Sequence, residues 1–236
     1  MSIAHLLIIG NEVLSGEVAD LNIQFLTRRL TGLGTRVRSV RVVPDEDEAI
    51  VSAIRQTGNP DSPLLVTGGI GPTHDDRTRA AVAMASGLEL VRHAEAEERL
   101  RAGYGPGLNE VELEMAMLPA GARLSLGPRS GVFGFVINRI YVFPGVPDLL
   151  ADVFESVADE FVGRPDHRIE ITTTLKEGNF ARALGALATE YPDVAIGSYP
   201  TRGATGWLVR LILRGPDSSR VEAAAAHVRE FTRADA

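Results

Sequence analysis

The strongest constraint on the fold is a regular alternation of short apolar runs with amphipathic segments over the first ninety residues. Ala4-His5-Leu6-Leu7-Ile8-Ile9-Gly10 is nearly unbroken in apolar character and ends in glycine, the pattern of a strand covered on both faces. Ile23, Leu26, Leu30 and Leu33 follow at helical spacing, and Gly32 and Gly34 end that helix. Val37–Val43 predicts a second strand. Asp45 then stands as an N-cap with Glu48 at capping-box distance, and Ile50, Ala53 and Ile54 form the buried face of the next helix. Pro63–Thr67 is a third strand, and Asp76–Ser86 a third helix. Such β-α-β-α-β-α order predicts an α/β fold: a three-layer domain with a mostly parallel sheet between helices. Right-handed crossovers put the loops Gly10–Gly16, Pro44–Asp47 and Gly68–Asp76 at the carboxyl edge of the sheet, where such folds bind ligands.

Residues 94–118 read as helix, glycine-rich loop and helix. Phe135–Asn138 and Ile140–Phe143 predict a hairpin, which Pro144-Gly145-Val146-Pro147 closes before a helix to about Val162. Gly163-Arg164-Pro165-Asp166 marks a boundary, so the expected units are 1–163 and 164–236. The second reads β-α-β-β-α: strand Arg168–Leu175, helix Asn179–Glu190, strands Val194–Ser198 and Trp207–Leu213, and a last helix opening at Asp217–Ser219, with Ser219 and Glu222 at capping-box spacing. This is a small α+β domain.

Composition narrows the function classes. Of 24 Lys/Arg and 31 Asp/Glu, residues 1–163 hold 14 and 22, so this part is acidic and no nucleic-acid partner is expected. Lys176 is the single lysine, which leaves residues 1–163 with arginine alone as a fixed cation. The 236 residues include no cysteine, which rules out disulfides and thiolate chemistry and fits a reducing, cytoplasmic location. No apolar run reaches membrane-spanning length, and the N-terminus lacks the basic region of a secretion signal. No membrane association is expected.

Chemistry concentrates in Thr67-Gly68-Gly69-Ile70-Gly71-Pro72-Thr73-His74-Asp75-Asp76-Arg77-Thr78. Glycines after a buried strand let the backbone approach a ligand closely, and amides near a helix start favour an anion such as phosphate. The stretch is neither a Walker A loop nor Gly-x-Gly-x-x-Gly. Asp75 and Asp76 would repel a phosphate unless a divalent cation intervened. Asp76 is equally explained as the cap of the next helix. His74 is a candidate metal ligand or general base, set against a plain hydrogen-bonded loop residue. In Gly10–Gly16, Glu12 is a candidate metal ligand, and Ser15 and the Gly16 amide candidate phosphate donors. Asn22 and Asp45 face either ligand or local structure. Pro144 and Gly145 form a rigid turn suited to a pocket wall, or a plain connection with Pro147 at the first helical position. Gly203-Ala204-Thr205-Gly206 has the Gly-x-x-Gly pattern of KH modules, but its place before the Trp207 strand makes it a hairpin turn; Trp207 reads as a core or interface residue.

Gly10-Asn11-Glu12-Val13-Leu14-Ser15-Gly16, Asn22, the Gly-Gly-Ile-Gly-Pro-Thr-His-Asp-Asp run and Pro144-Gly145-Val146-Pro147 resemble the N-terminal domain of the CinA family of competence/damage-inducible proteins, within the MoaB/MogA-like molybdopterin-binding superfamily. The resemblance covers residues 4–162; residues 168–232, including Ser198-Tyr199-Pro200, resemble the KH-like domain that follows in that family. No counterpart of the amidohydrolase domain found further along in CinA is expected within these residues. The resemblance also implies a nucleotide- or pterin-phosphate site over Gly68, Gly69, Gly71, Pro72, Thr73 and Thr78. In the CinA branch it implies a pyrophosphatase acting on ADP-ribose with a divalent cation (Mg or Co), with K as a further candidate ion, the divalent cation on Asp75, Asp76 and Glu12. In the MogA branch it implies binding or adenylylation of molybdopterin. A non-catalytic binding module is a third reading. Asp76 and Asp45 match the family's acidic positions. Asn11 replaces the usual Asp, Asn179 replaces a common Glu, and Gly127–Phe135 replaces the usual Asn-Pro-x-Gly-Thr-Ala-Pro-Gly-Phe, which introduces Arg129 as a new phosphate contact. By the same resemblance a homo-oligomer, dimer or trimer, is expected.

Overall fold

The computed structural model describes residues 2–57, 61–203 and 206–233. The chain divides into two compact units, 1–163 and 164–236. In the first, the order is β1 (Ser2–Ile9), α1 (Asn11–Leu14), α2 (Asn22–Gly32), β2 (Thr35–Val43), α3 (Asp47–Thr57), β3 (Leu64–Thr67), α4 (Thr78–Ser86), β4 (Leu90–Arg92), α5 (Ala94–Tyr104), α6 (Glu110–Leu113), β5 (Met117–Pro119), β6 (Arg123–Leu126), β7 (Phe133–Ile137), β8 (Ile140–Phe143) and α7 (Pro147–Glu155).

A six-stranded sheet runs β2-β1-β3-β8-β7-β6. The first four strands are mutually parallel, and β7 and β6 add the antiparallel edge. Successive strand side chains point to opposite faces, and the central strands use both. Leu7 and Ile9 of β1 join one core with Ile50, Ile54 and Val82. Ala4 and Leu6 join the other with Leu26, Leu30 and Phe154. The alternation repeats in β3, where Leu64 and Val66 face one way and Leu65 the other. This two-sided burial explains the unbroken apolar runs. The second core carries an aromatic cluster: Phe154 meets Phe25, Phe143 and Phe161 at ring-centroid distances of 5.9, 6.0 and 5.6 Å.

Several local expectations are corrected. Helix α3 starts at Asp47, so Glu46 rather than Asp45 flanks it. Helix α4 starts at Thr78, two residues after Asp76, with no side-chain cap. The segment read as one helix to Val162 is α7 followed by a separate 3-10 turn at Ala158–Phe161. Residues 94–118 end in β5, which pairs with β4 in a small two-stranded sheet not foreseen from the sequence. Both strands are three residues long, too short for a period-two signal.

The second unit comprises β9 (His167–Thr173), α8 (Glu177–Glu190), β10 (Ala195–Gly203), β11 (Gly206–Gly215) and α9 (Ser218–Phe231). Its antiparallel sheet runs β10-β11-β9. Val209, Leu211 and Leu213 of β11 pack with Phe180 and Leu187 of α8 and with Val221, Ala225 and Val228 of α9. Asp217 caps α9 by accepting the Ser219 and Arg220 amides, in place of the expected Ser219–Glu222 box. Gly203 pairs with Gly206 across the hairpin; Ala204 and Thr205 lie outside the described residues. Trp207 is 55% exposed and so is not a core residue.

Candidate functional site

The carboxyl ends of β1, β3 and β8 are joined by glycines and buried polar groups. Gly68 has φ +98°, and a Cβ there would lie 2.2 Å from the Ile9 carbonyl oxygen; only glycine fits both the conformation and the space. Its amide donates to the Phe143 carbonyl at 3.3 Å, and the Thr78 amide donates to the Gly69 carbonyl at 3.0 Å. The buried Thr78 hydroxyl donates to the Gly68 carbonyl at 2.7 Å. Asn22 is also buried. Its Nδ2 donates to the Gly145 carbonyl at 2.7 Å and reaches Thr67 Oγ1 at 3.5 Å. The Asp45 carboxylate accepts the Asn11 amide at 2.7 Å, which ties the loop after β2 to the loop after β1.

Asp76 is turned into the glycine-rich turn. One carboxylate oxygen accepts the Gly71 amide at 2.7 Å; the other accepts the Thr73 amide at 2.8 Å and the Thr73 hydroxyl at 2.5 Å. Two of the amides expected to meet a phosphate are therefore already given to a carboxylate of the same loop. The Gly69 and Ile70 amides have no protein acceptor among the described residues. Neither helix capping nor a free metal ligand describes Asp76; it holds the turn closed.

A cleft of about 950 Å³ opens over this turn. It is lined by Gly68, Gly69, Gly71, Pro72 and Thr73, by Pro144 and Gly145, and by the acids Glu12, Asp45, Asp75 and Asp76. An apolar end adds Leu100 and Tyr104 of α5, Met115, Leu118, Phe133 and Phe135. Ser15, Gly16, Asn22, His74, Thr78 and Arg129 are not brought to this lining. Asn22 and Thr78 instead brace the strand ends from within. The Ser15 hydroxyl donates to the Glu12 carbonyl. The His74 side chain is 95% exposed, with Nδ1 3.9 Å from Asp75. Hydrogen bonding from the Thr73 side chain and then from its own main chain, with a smaller pull from Arg77, holds the Asp75 carboxyl below its usual range.

Arg129 is turned to Asp152 of α7. The Asp152 carboxylate, 3% exposed, accepts Arg129 Nε at 2.9 Å and the Ser130 amide at 2.7 Å. Hydrogen bonds from Ser130 and Arg129 hold its carboxyl well below the usual range. This buried acid shapes the segment 127–132, of which Ser130, Gly131 and Val132 line the cleft. Sequence reading missed Asp152, Arg79, Arg99 and Tyr104. The first lies within an otherwise apolar run of α7, Leu149-Leu150-Ala151-Asp152-Val153-Phe154, and a lone acid in such a run is the signal that marks it.

Among the described residues no three His, Cys, Asp or Glu side chains converge as metal ligands. Asp76 does not suit the role because its oxygens are engaged. Glu12 and Asp75 also line the cleft, and Asp75 shares Thr73 with Asp76. Their carboxylate oxygens are hard donors of the kind a divalent cation takes.

An open α/β sheet with a ligand-sized cleft at the carboxyl ends of its parallel strands defines a small-molecule-binding class. Residues 5–164 match the family model described as probable molybdopterin binding domain, and the chain belongs to that family. Residues 165–236 match the model for the middle domain of FAD synthase. A CinA-like protein of Citrifermentans bemidjiense is 39% identical over 164 residues, 66% of this chain and 40% of that protein. A probable FAD synthase of Caenorhabditis elegans is 28% identical over an alignment of 257 positions, 97% of this chain and 49% of that protein. The crystal structure of CinA from Thermoplasma acidophilum, 28% identical, superposes with a TM-score of 0.63 over 69% of this chain and all of that one. The N-terminal unit is thus CinA-like. Among the described residues no helix is long and apolar enough to cross a membrane.

Proposed function

We propose that the cleft of the N-terminal unit binds a phosphorylated nucleotide or pterin and hydrolyses the diphosphate bond of ADP-ribose or a related dinucleotide. The observation that carries this reading is the union, in one cleft, of a glycine turn and acidic rim with an apolar end of aromatic and aliphatic side chains. A flat heterocycle suits the apolar end, and a diphosphate suits the polar one. Water attacks one phosphorus, the bridging P–O bond breaks, and AMP and ribose 5-phosphate leave. A lining carboxylate takes the proton of the attacking water. A divalent cation held by Glu12 and Asp75 would supply charge neutralisation and polarise phosphorus. The exposed His74 is not needed in this scheme.

The test is incubation of purified protein with ADP-ribose, with Mg²⁺, Co²⁺ or K⁺ added singly and together, reading AMP release. Turnover that needs a divalent ion is expected; no AMP under any of these conditions overturns the hydrolase reading. The family description favours a second reading, in which the same cleft binds molybdopterin. Thermal stabilisation by molybdopterin without ADP-ribose binding would select it. Assembly into dimers or trimers belongs to the same proposal, and a monomer in sedimentation at micromolar concentration removes it.

A further inference from the structure

The cleft has a charge problem that the glycine turn does not solve. Four carboxylates line it, the unit has no lysine, and the Gly71 and Thr73 amides are spent on Asp76. Two arginines reach the lining, Arg79 of α4 and Arg99 of α5. Arg99 already faces Glu95 at 3.6 Å and is half-exposed. Arg79 differs in both respects. Its Nη1 donates to two main-chain carbonyls, Ile70 and Gly71, the latter at 2.9 Å. Among the described residues no carboxylate pairs with it, and Nε and Nη2 have no acceptor. Burial pushes its guanidinium pKa down, against the pull of Asp76 and Glu114. Asp76 and Glu114 act on it only through space, so this half-buried guanidinium has no carboxylate in direct contact. Its Nε–Nη2 edge is the fork that takes two phosphate oxygens at once.

We propose that Arg79 is the anion-binding cation of the cleft, with its Nε–Nη2 edge taking the diphosphate of the ligand directly, so that binding does not need a divalent ion. The carbonyls of Ile70 and Gly71 aim the guanidinium, and the neighbouring acids are then free to serve the chemistry rather than the binding. The assignment rests on the phosphate-ligand reading above and deepens it.

Isothermal calorimetry on the full chain in EDTA, with inorganic pyrophosphate, ADP-ribose and phosphate-free adenosine, tests it. Wild type should bind pyrophosphate without metal. Arg79→Gln should weaken pyrophosphate and ADP-ribose by about tenfold or more, the loss of one charge-assisted bidentate contact, and leave adenosine unchanged. Arg79→Lys, which keeps the charge, should recover part of the loss. Pyrophosphate binding that requires Mg²⁺, or that is equal in wild type and Arg79→Gln, overturns the proposal. So does a parallel loss of adenosine affinity and melting temperature in both variants, the mark of a purely structural arginine. If Arg79→Gln does not fold, Arg79→Lys and the salt dependence of wild-type pyrophosphate binding decide, and affinity independent of salt counts against it. Arg79-dependent pyrophosphate binding without any AMP release would retain this assignment and remove only the hydrolase reading.

Discussion

Asp76 and Asp152 show how far a residue's role depends on where its carboxylate turns. Asp76 satisfies three donors of one turn, two of them main-chain amides. Removing the acceptor leaves those donors to find water in a half-closed loop. Asp76→Ala should lower stability by about 2 kcal/mol, and Asp76→Asn, which keeps one acceptor oxygen, by about 1 kcal/mol, read by urea denaturation. A loss too small to measure would mean the turn does not depend on it. Asp152 makes a pH-dependent contribution. Its folded carboxyl titrates below its ordinary range because Ser130 and Arg129 bond to the ionised form. The contribution is complete above the unfolded value, about pH 4, and is lost as pH falls below it. The difference in Tm between wild type and Asp152→Asn should be constant from pH 5 to 8 and shrink under about pH 4. A difference that grows on acidification would contradict this account.

Strand ends and turns set the cleft at the next scale. Helix α4 and strands β1, β3 and β8 meet at Gly68, whose φ of +98° and 2.2 Å approach to the Ile9 carbonyl leave no room for a methyl group. Gly68→Ala should therefore cost more than about 3 kcal/mol, a backbone conflict on top of an unfavourable conformation. Gly16 has φ +77° with nothing within 4 Å, so Gly16→Ala should cost only about 1 kcal/mol. Comparable losses for the two in thermal melts would mean that crowding at Gly68 is relieved by local movement. The same contrast explains what was legible. The apolar runs of β1 and β3, the glycine turn and the helical spacing of α2 and α3 follow from local periodicity. The short β4–β5 pair does not, because three-residue strands are held by partners far along the chain.

Each unit of the whole molecule has its own core. Residues 1–163 close two apolar clusters around the six-stranded sheet, and residues 164–236 close a third around β11. All cleft-lining residues belong to the first unit. Residues 1–163 expressed alone should fold cooperatively and bind ADP-ribose with the affinity of the full chain; a tenfold weaker Kd would show that the second unit contributes to the site.

The order of most strands and helices, the division near Gly163 and the place of the glycine turn at the carboxyl edge of the sheet were legible in the sequence, because apolar period, glycine placement and crossover handedness act over a few residues at a time. The direction taken by individual polar groups was not. Asn22 and Thr78 turned inward to brace the strand ends, Asp76 closed its own turn, and Arg79 was left beside the cleft with an unused edge. Those choices depend on carbonyls and amides that only packing brings within hydrogen-bond reach, often from more than a hundred residues away, as with Asn22 and Gly145.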